Sequence, residues 1–202
     1  MLDLPSGTVS VGRAFKEQGW EVLSLDLNSA ARADVQRDVL DCDYRQFPPG
    51  HFQVITAGVP CSEFSRALTT RPRDLAKGDA LMQKTFKIIC CFELAEWFRE
   101  NPWDGLRGIP LVGAGYCQLS DWGGRKPTRV WGSAAVDELE TRTCDGRTCP
   151  YLDPRFPVLR RFPRRHHCGL PGGIHVPVLP AKKGRWSRKL GCCLVDWGRE
   201  WH

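Results

Sequence analysis

An α/β fold on a mostly parallel sheet is predicted by three observations. Short apolar runs over 2–4, 21–25 and 52–56 each end in a turn. Segments of helical periodicity lie between them, and strand–helix alternation at this spacing makes βαβ units. The 202 residues are 42% hydrophobic and include eight Trp, enough for one real core and too apolar for a disordered chain.

The first strand, over 2–4, enters the turn Pro5-Ser6-Gly7-Thr8, and a helix follows over 10–18 until Gly19 stops it. Residues 21–25 make the second strand, with Asp26 at its end. After Asp38-Val39-Leu40-Asp41 and the breaker Pro48-Pro49-Gly50, the run Phe52-Gln53-Val54-Ile55-Thr56 reads as a buried strand closing on Gly58-Val59-Pro60-Cys61. The longest helix starts near Asp79, where Leu81, Met82, Phe86, Ile89 and Phe92 recur at helical spacing and belong to the core. Trp97-Phe98-Arg99 forms a further strand that breaks at Glu100-Asn101-Pro102. From about Thr141, Cys, Pro, Gly and Arg dominate and periodicity is lost. The expected division is an α/β domain over 1–135 and a small, irregular Cys/Arg-rich module over 136–202, without internal repeats.

Charge follows the same division. Residues 1–132 hold 16 Lys+Arg against 16 Asp+Glu, while 133–202 hold 13 against 7, so the second part carries the whole net charge of +6. A neutral domain followed by a basic one suits an enzyme acting on nucleic acid; the plainer reading is a solvated tail. No stretch is apolar enough to span a membrane, and residues 1–12 lack the basic start and apolar run of a signal peptide. An intracellular monomer with reduced thiols is therefore expected, nuclear in a eukaryotic host and cytoplasmic in a bacterial or phage one.

Two constellations carry chemistry in the first domain. In the strand–turn–helix over 3–12, small residues let the backbone approach a cofactor at a helix N-terminus, and Asp26 ends the next strand where nucleotide-binding folds hold ribose hydroxyls. Cys61, delivered at a strand end by Pro60, reads as a nucleophile rather than a small buried hydrophobe. With Glu100 after the next strand it matches a need of pyrimidine chemistry: a thiolate adds to carbon 6 while an acid near ring nitrogen 3 handles a proton, on a base turned out of its stack.

Two further clusters lie in the second module. Cys144, Cys149, His167 and Cys168 could close a tetrahedral structural zinc site, with unliganded thiols as the alternative. Arg160, Arg161, Arg164 and Arg165, with Phe156, Phe162 and Trp186 interleaved, supply phosphate neutralisation and stacking without specifying sequence.

The order Ser6-Gly7-Thr8, strand-end Asp26, Asp38, Pro60-Cys61-x-x-Phe64-Ser65, Glu100-Asn101-Pro102 and Arg125-x-x-x-Arg129-Val130-Trp131 resembles the DNA (cytosine-5) methyltransferases. It is most similar to the short forms of bacteriophages and mobile elements. The resemblance runs from about Leu2 to Ser133. It implies a Rossmann-like S-adenosylmethionine-dependent methyltransferase fold over 1–135, with 136–202 as a target-recognition-like module. It implies Cys61 as the nucleophile, Glu100 on the cytosine edge, and Arg129 on the base carbonyl or adduct. Asp3, Ser6, Gly7 and Pro60 would line the cofactor site, with Asp26 on the ribose and Asp38 on the adenine amino group. Ser65 and Arg125 would join the nucleic-acid contacts, and DNA is the implied partner.

The chain departs from that pattern at Pro5, where an aromatic is usual, and at Val9, where a second Gly is usual and a side chain would crowd the methionine part of the cofactor. Pro127 stands where a first Arg is often found, and the family's closing Gly-Asn segment is not recognisable before His202. The competing readings are an RNA cytosine-5 methyltransferase and a non-catalytic nucleic-acid-binding remnant.

Overall fold

Seven strands form one sheet in the computed structural model, which describes residues 1–65, 68–92, 96–101, 109–115, 118 and 127–144. They are β1 (Leu2–Leu4), β2 (Leu23–Asp26), β3 (Val35–Gln36), β4 (Val54–Ala57), β5 (Glu96–Asn101), β6 (Leu111–Gly115) and β7 (Pro127–Gly132), in the order β3-β2-β1-β4-β5-β7-β6. The first five in that order run parallel, and β7 is antiparallel to both β5 and β6. This is the expected Rossmann-like arrangement.

Among the described residues two helices cover the sheet, one on each face, as the alternation of side chains along β4 requires. Val54 packs with Met1 and Phe15 under α1 (Ser10–Glu17), while Ile55 and Ala57 pack with Leu81, Met82, Ile88, Ile89 and Phe92, the last just beyond the C-terminus of α2 (Leu75–Cys91). Gly19, at φ 81°, follows α1 in the left-handed region that ends helices.

Three boundaries differ from the sequence reading. Helix α2 begins at Leu75, not near Asp79: the Asp74 side chain accepts from the Lys77 amide at 3.0 Å and caps a polar first turn that apolar periodicity cannot register. Strand β2 starts at Leu23. Strand β5 continues through Glu100 and Asn101 because β7 pairs with it there, Glu100 opposite Val130 and Asn101 opposite Arg129.

Residues 133–142 remain on the sheet beyond β7. Val136 and Leu139 pack with Val130, and the Gly115 amide donates to the Arg142 carbonyl at 2.8 Å. No described helix is long and apolar enough to cross a membrane.

Candidate active site

Parallel strands β2, β1, β4 and β5 finish at one edge of the sheet, where ligand crevices of open α/β sheets lie. Their exit loops are bonded together. The Ser6 amide donates to the Leu25 carbonyl and the Gly58 amide to the Leu4 carbonyl, both at 2.9 Å. Asn101 Nδ2 reaches the Val59 carbonyl at 3.4 Å, joining the end of β5 to the loop that carries Cys61.

The loop after β1 is organised by two acids. Asp26 accepts from the Gly7 amide at 2.7 Å on one oxygen and from the Asn28 amide at 2.8 Å on the other. This holds Gly7 at φ 54°, a conformation a Cβ would penalise. Asp3, expected along a cofactor, is instead 3% exposed: it accepts from Thr56 Oγ1 at 2.7 Å and the Gly12 amide at 3.2 Å, tying β1 to β4 and to the first turn of α1. Burial pushes its carboxyl up to about 6, against those two hydrogen bonds and with help from the nearby Asp26 charge. Asp3 therefore supports the loop from beneath.

Ser6 is buried, and its Oγ has no hydrogen-bond partner. Asp38 is half-buried and caps the short helical turn Val39–Asp41, accepting from the Leu40 amide at 2.9 Å. Leu27, directly after Asp26, is 61% exposed and makes an apolar surface beside that acid, a feature a lone Leu in sequence does not announce. Val9, expected to crowd a ligand, carries a backbone cost: it precedes α1 at φ 52°, ψ 22°, with no side-chain capping bond. That is the left-handed region, where a β-branched residue is a genuine outlier.

Cys61 is half-buried and begins the one-turn helix Ser62–Phe64, whose Phe64 amide donates to the Cys61 carbonyl at 3.1 Å. The turn is fastened at Glu63, a residue the sequence reading missed. Its carboxylate accepts both Arg71 Nη groups and the Asp74 amide, the last at 2.8 Å. Those bonds hold the carboxyl down at about 2. Underneath, Gly78 of α2 lets the turn lie close: a Cβ there would come within 2.8 Å of Phe64 Cζ and 3.1 Å of Glu63 Cβ. Pro60 is exposed on the same loop.

Glu100, half-buried at the end of β5, accepts a hydrogen bond from Thr128 Oγ1 on β7. The pleat decides this pairing. Glu100 faces Val130 across the ladder, and Thr128, two residues along β7, shares that face. Arg129, expected on the base carbonyl or the adduct, alternates to the other face, beside Asn101 and across Gly113, where an added Cβ would meet its guanidinium at 3.1 Å. Register between strands 28 residues apart is invisible in sequence, so Thr128 was missed.

Arg99 points the same way as Arg129, toward α2. It is 1% exposed, lies 5.5 Å from the ring centres of both Phe86 and Trp131, and donates Nη2 to the Met82 sulfur. Burial lowers its pKa to about 10, opposed by the Glu100 charge.

The remaining expected contacts fall unevenly. Ser65 lies just past the Cys61 turn, and Cys144 beside Gly115. Arg125, Arg160, Arg161, Arg164, Arg165, Cys149, His167 and Cys168 lie outside the described residues. Among the described residues no group of three His, Cys, Asp or Glu is arranged for a metal.

The chain is 33% identical over 173 residues to a protein of Frog virus 3 (isolate Goorha) named probable DNA (cytosine-5)-methyltransferase, covering 76% of this chain and 78% of that one. Among solved structures, a mutant of Spodoptera frugiperda DNMT2 aligns with 71% of this chain at 13% identity and a TM-score of 0.42. The aligned part spans 52% of that DNMT2 chain. No protein-family model matches.

Proposed function

Because this chain belongs to the DNA (cytosine-5)-methyltransferase family, we propose that it methylates carbon 5 of cytosine in DNA through a covalent adduct on Cys61, with S-adenosylmethionine as donor. The observation that carries this reading is the shared edge: the segments bearing the Ser6–Gly7 turn, the Cys61 turn and Glu100 leave adjacent strands, and the Gly58–Leu4 and Asn101–Val59 bonds join those strand ends.

The residues present fit the cofactor. Ser6 Oγ is a buried donor without a partner, at the turn leading into the N-terminus of α1. Asp26 retains acceptor capacity for ribose hydroxyls, since each carboxylate oxygen can take two hydrogen bonds. Asp38 is the candidate for the adenine amino group, and exposed Leu27 offers the ring an apolar surface. When bound, S-adenosylmethionine supplies an electrophilic methyl group.

The chain's own residues do the rest. The Cys61 thiolate adds to carbon 6 of an extruded cytosine, and the electron pair of the 5,6 double bond moves to carbon 5, making it nucleophilic. Glu100 holds the N3 side of the ring and manages the proton there. After methylation, loss of the carbon 5 proton re-forms the double bond and expels Cys61 as thiolate. The Glu63–Arg71 clamp and the close contact at Gly78 keep the nucleophile's loop from wandering, which serves near-attack geometry. Arg129, on the other face from Glu100, is proposed to orient the base or the adduct from the Asn101 side.

The test is DNA carrying 5-fluorocytosine, whose fluorine blocks the final elimination. A denaturation-resistant adduct should form with the parent protein and with Cys90→Ser, and not with Cys61→Ser. An adduct retained by Cys61→Ser refutes the assignment.

A further inference from the structure

We infer that Thr128 is a positioning residue for Glu100, its buried hydroxyl fixing the carboxylate that handles the cytosine edge; this rests on the role proposed for Glu100. Thr128 is 3% exposed, and its Oγ1 donates to Glu100 Oε1 across the β5–β7 ladder. A buried hydroxyl without water must find an acceptor, and here the acceptor is the acid itself. The bond is diagonal: Glu100 lies opposite Val130, and Thr128 is the next residue on that face.

Two properties make this a device for holding the acid. Threonine is β-branched and stiff at its first torsion, so the hydroxyl direction is set by the strand. Both partners sit on paired strands rather than on loops, so the carboxylate inherits the sheet's rigidity.

The experiment compares the full-length parent with Thr128→Val, which keeps the shape and loses the donor, and with Thr128→Ser, which keeps the donor. Two readouts are taken: kcat and KM of methyl transfer, and the rate of adduct formation with 5-fluorocytosine DNA. Thr128→Val should lower kcat about tenfold with KM for DNA little changed and slow the adduct by a similar factor, and Thr128→Ser should recover most of both.

An unchanged kcat in Thr128→Val, or equal effects of Val and Ser, overturns the inference. So does a further tenfold loss from Thr128→Val in a Glu100→Ala background, because Thr128 would then act through something else. If Thr128→Val does not fold, Thr128→Ala replaces it under the same criteria. Full methyl transfer by Glu100→Ala alone would instead refute the role of Glu100, a result read without any change at Thr128.

Discussion

Glu63 receives the guanidinium of Arg71 on both carboxylate oxygens, two residues beyond Cys61, and takes the Asp74 amide that opens α2 as well. A single carboxylate thereby joins the Cys61 turn to the first turn of α2. The Cys61 loop owes its position to this clamp and to the close contact at Gly78.

The clamp has a definite pH dependence. The Glu63 carboxyl is lowered from its ordinary 4.5 to about 2 by Arg71 and the Asp74 amide. A depressed carboxylate contributes its full stabilisation above the unfolded value and loses it as pH falls through the folded one. The loop should therefore stay fastened above pH 4.5 and loosen between about 4.5 and 2. In Glu63→Gln, amide exchange in residues 61–65 should already be fast at pH 7. Exchange equal to the parent's at that pH would refute the clamp.

Asp3 has the opposite sign. Burial raises its carboxyl from 3.8 to about 6, so the folded chain holds a proton that the unfolded chain releases first. Its contribution to stability is greatest below pH 3.8 and falls as pH rises to about 6, by an amount on the order of 2–3 kcal/mol. In denaturant titrations, Asp3→Asn should gain on the parent by that amount between pH 4 and pH 7. A stability difference constant across the range would show that Asp3 does not titrate there.

Val9→Gly should raise stability. The left-handed conformation at φ 52° costs an L-residue roughly 1–2 kcal/mol, partly offset by the greater freedom of Gly in the unfolded chain. The net expectation is on the order of 1 kcal/mol, or about 2–4 °C in Tm for a domain of this size. Calorimetry of the variant with and without S-adenosylmethionine separates this backbone effect from relief of crowding, which would tighten binding as well. An unchanged or lower Tm would mean the strain is absent.

Gly78→Ala should be destabilising even though Ala is the better helix former by about 1 kcal/mol. The added Cβ meets Phe64 at 2.8 Å and Glu63 at 3.1 Å, and such overpacking costs about 1–3 kcal/mol. Adduct formation with 5-fluorocytosine DNA should slow, because the turn that moves is the one carrying Cys61. A stabilised variant with an unchanged adduct rate would show that the turn does not bear on α2.

The sequence by itself determined the sheet's beginning and the family. Apolar runs bounded by Gly and Pro marked β1, β2 and β4, and the residues around Asp26, Cys61 and Glu100 identified the family, because local composition and spacing suffice for both. Tertiary structure alone decided which neighbours those residues have. The start of α2 at Leu75 depends on a polar cap at Asp74, and the extension of β5 through Glu100 depends on a partner strand 28 residues later. That Glu100 meets Thr128 while Arg129 turns away follows from one register between β5 and β7, and a slip of one residue would exchange them. The Glu63–Arg71 clamp and the need for Gly78 arise in the same way, where a loop folds back on a helix. Pattern along a chain reports which face of its own element a residue occupies, whereas the atoms opposite that face are set by pairing and packing between distant segments.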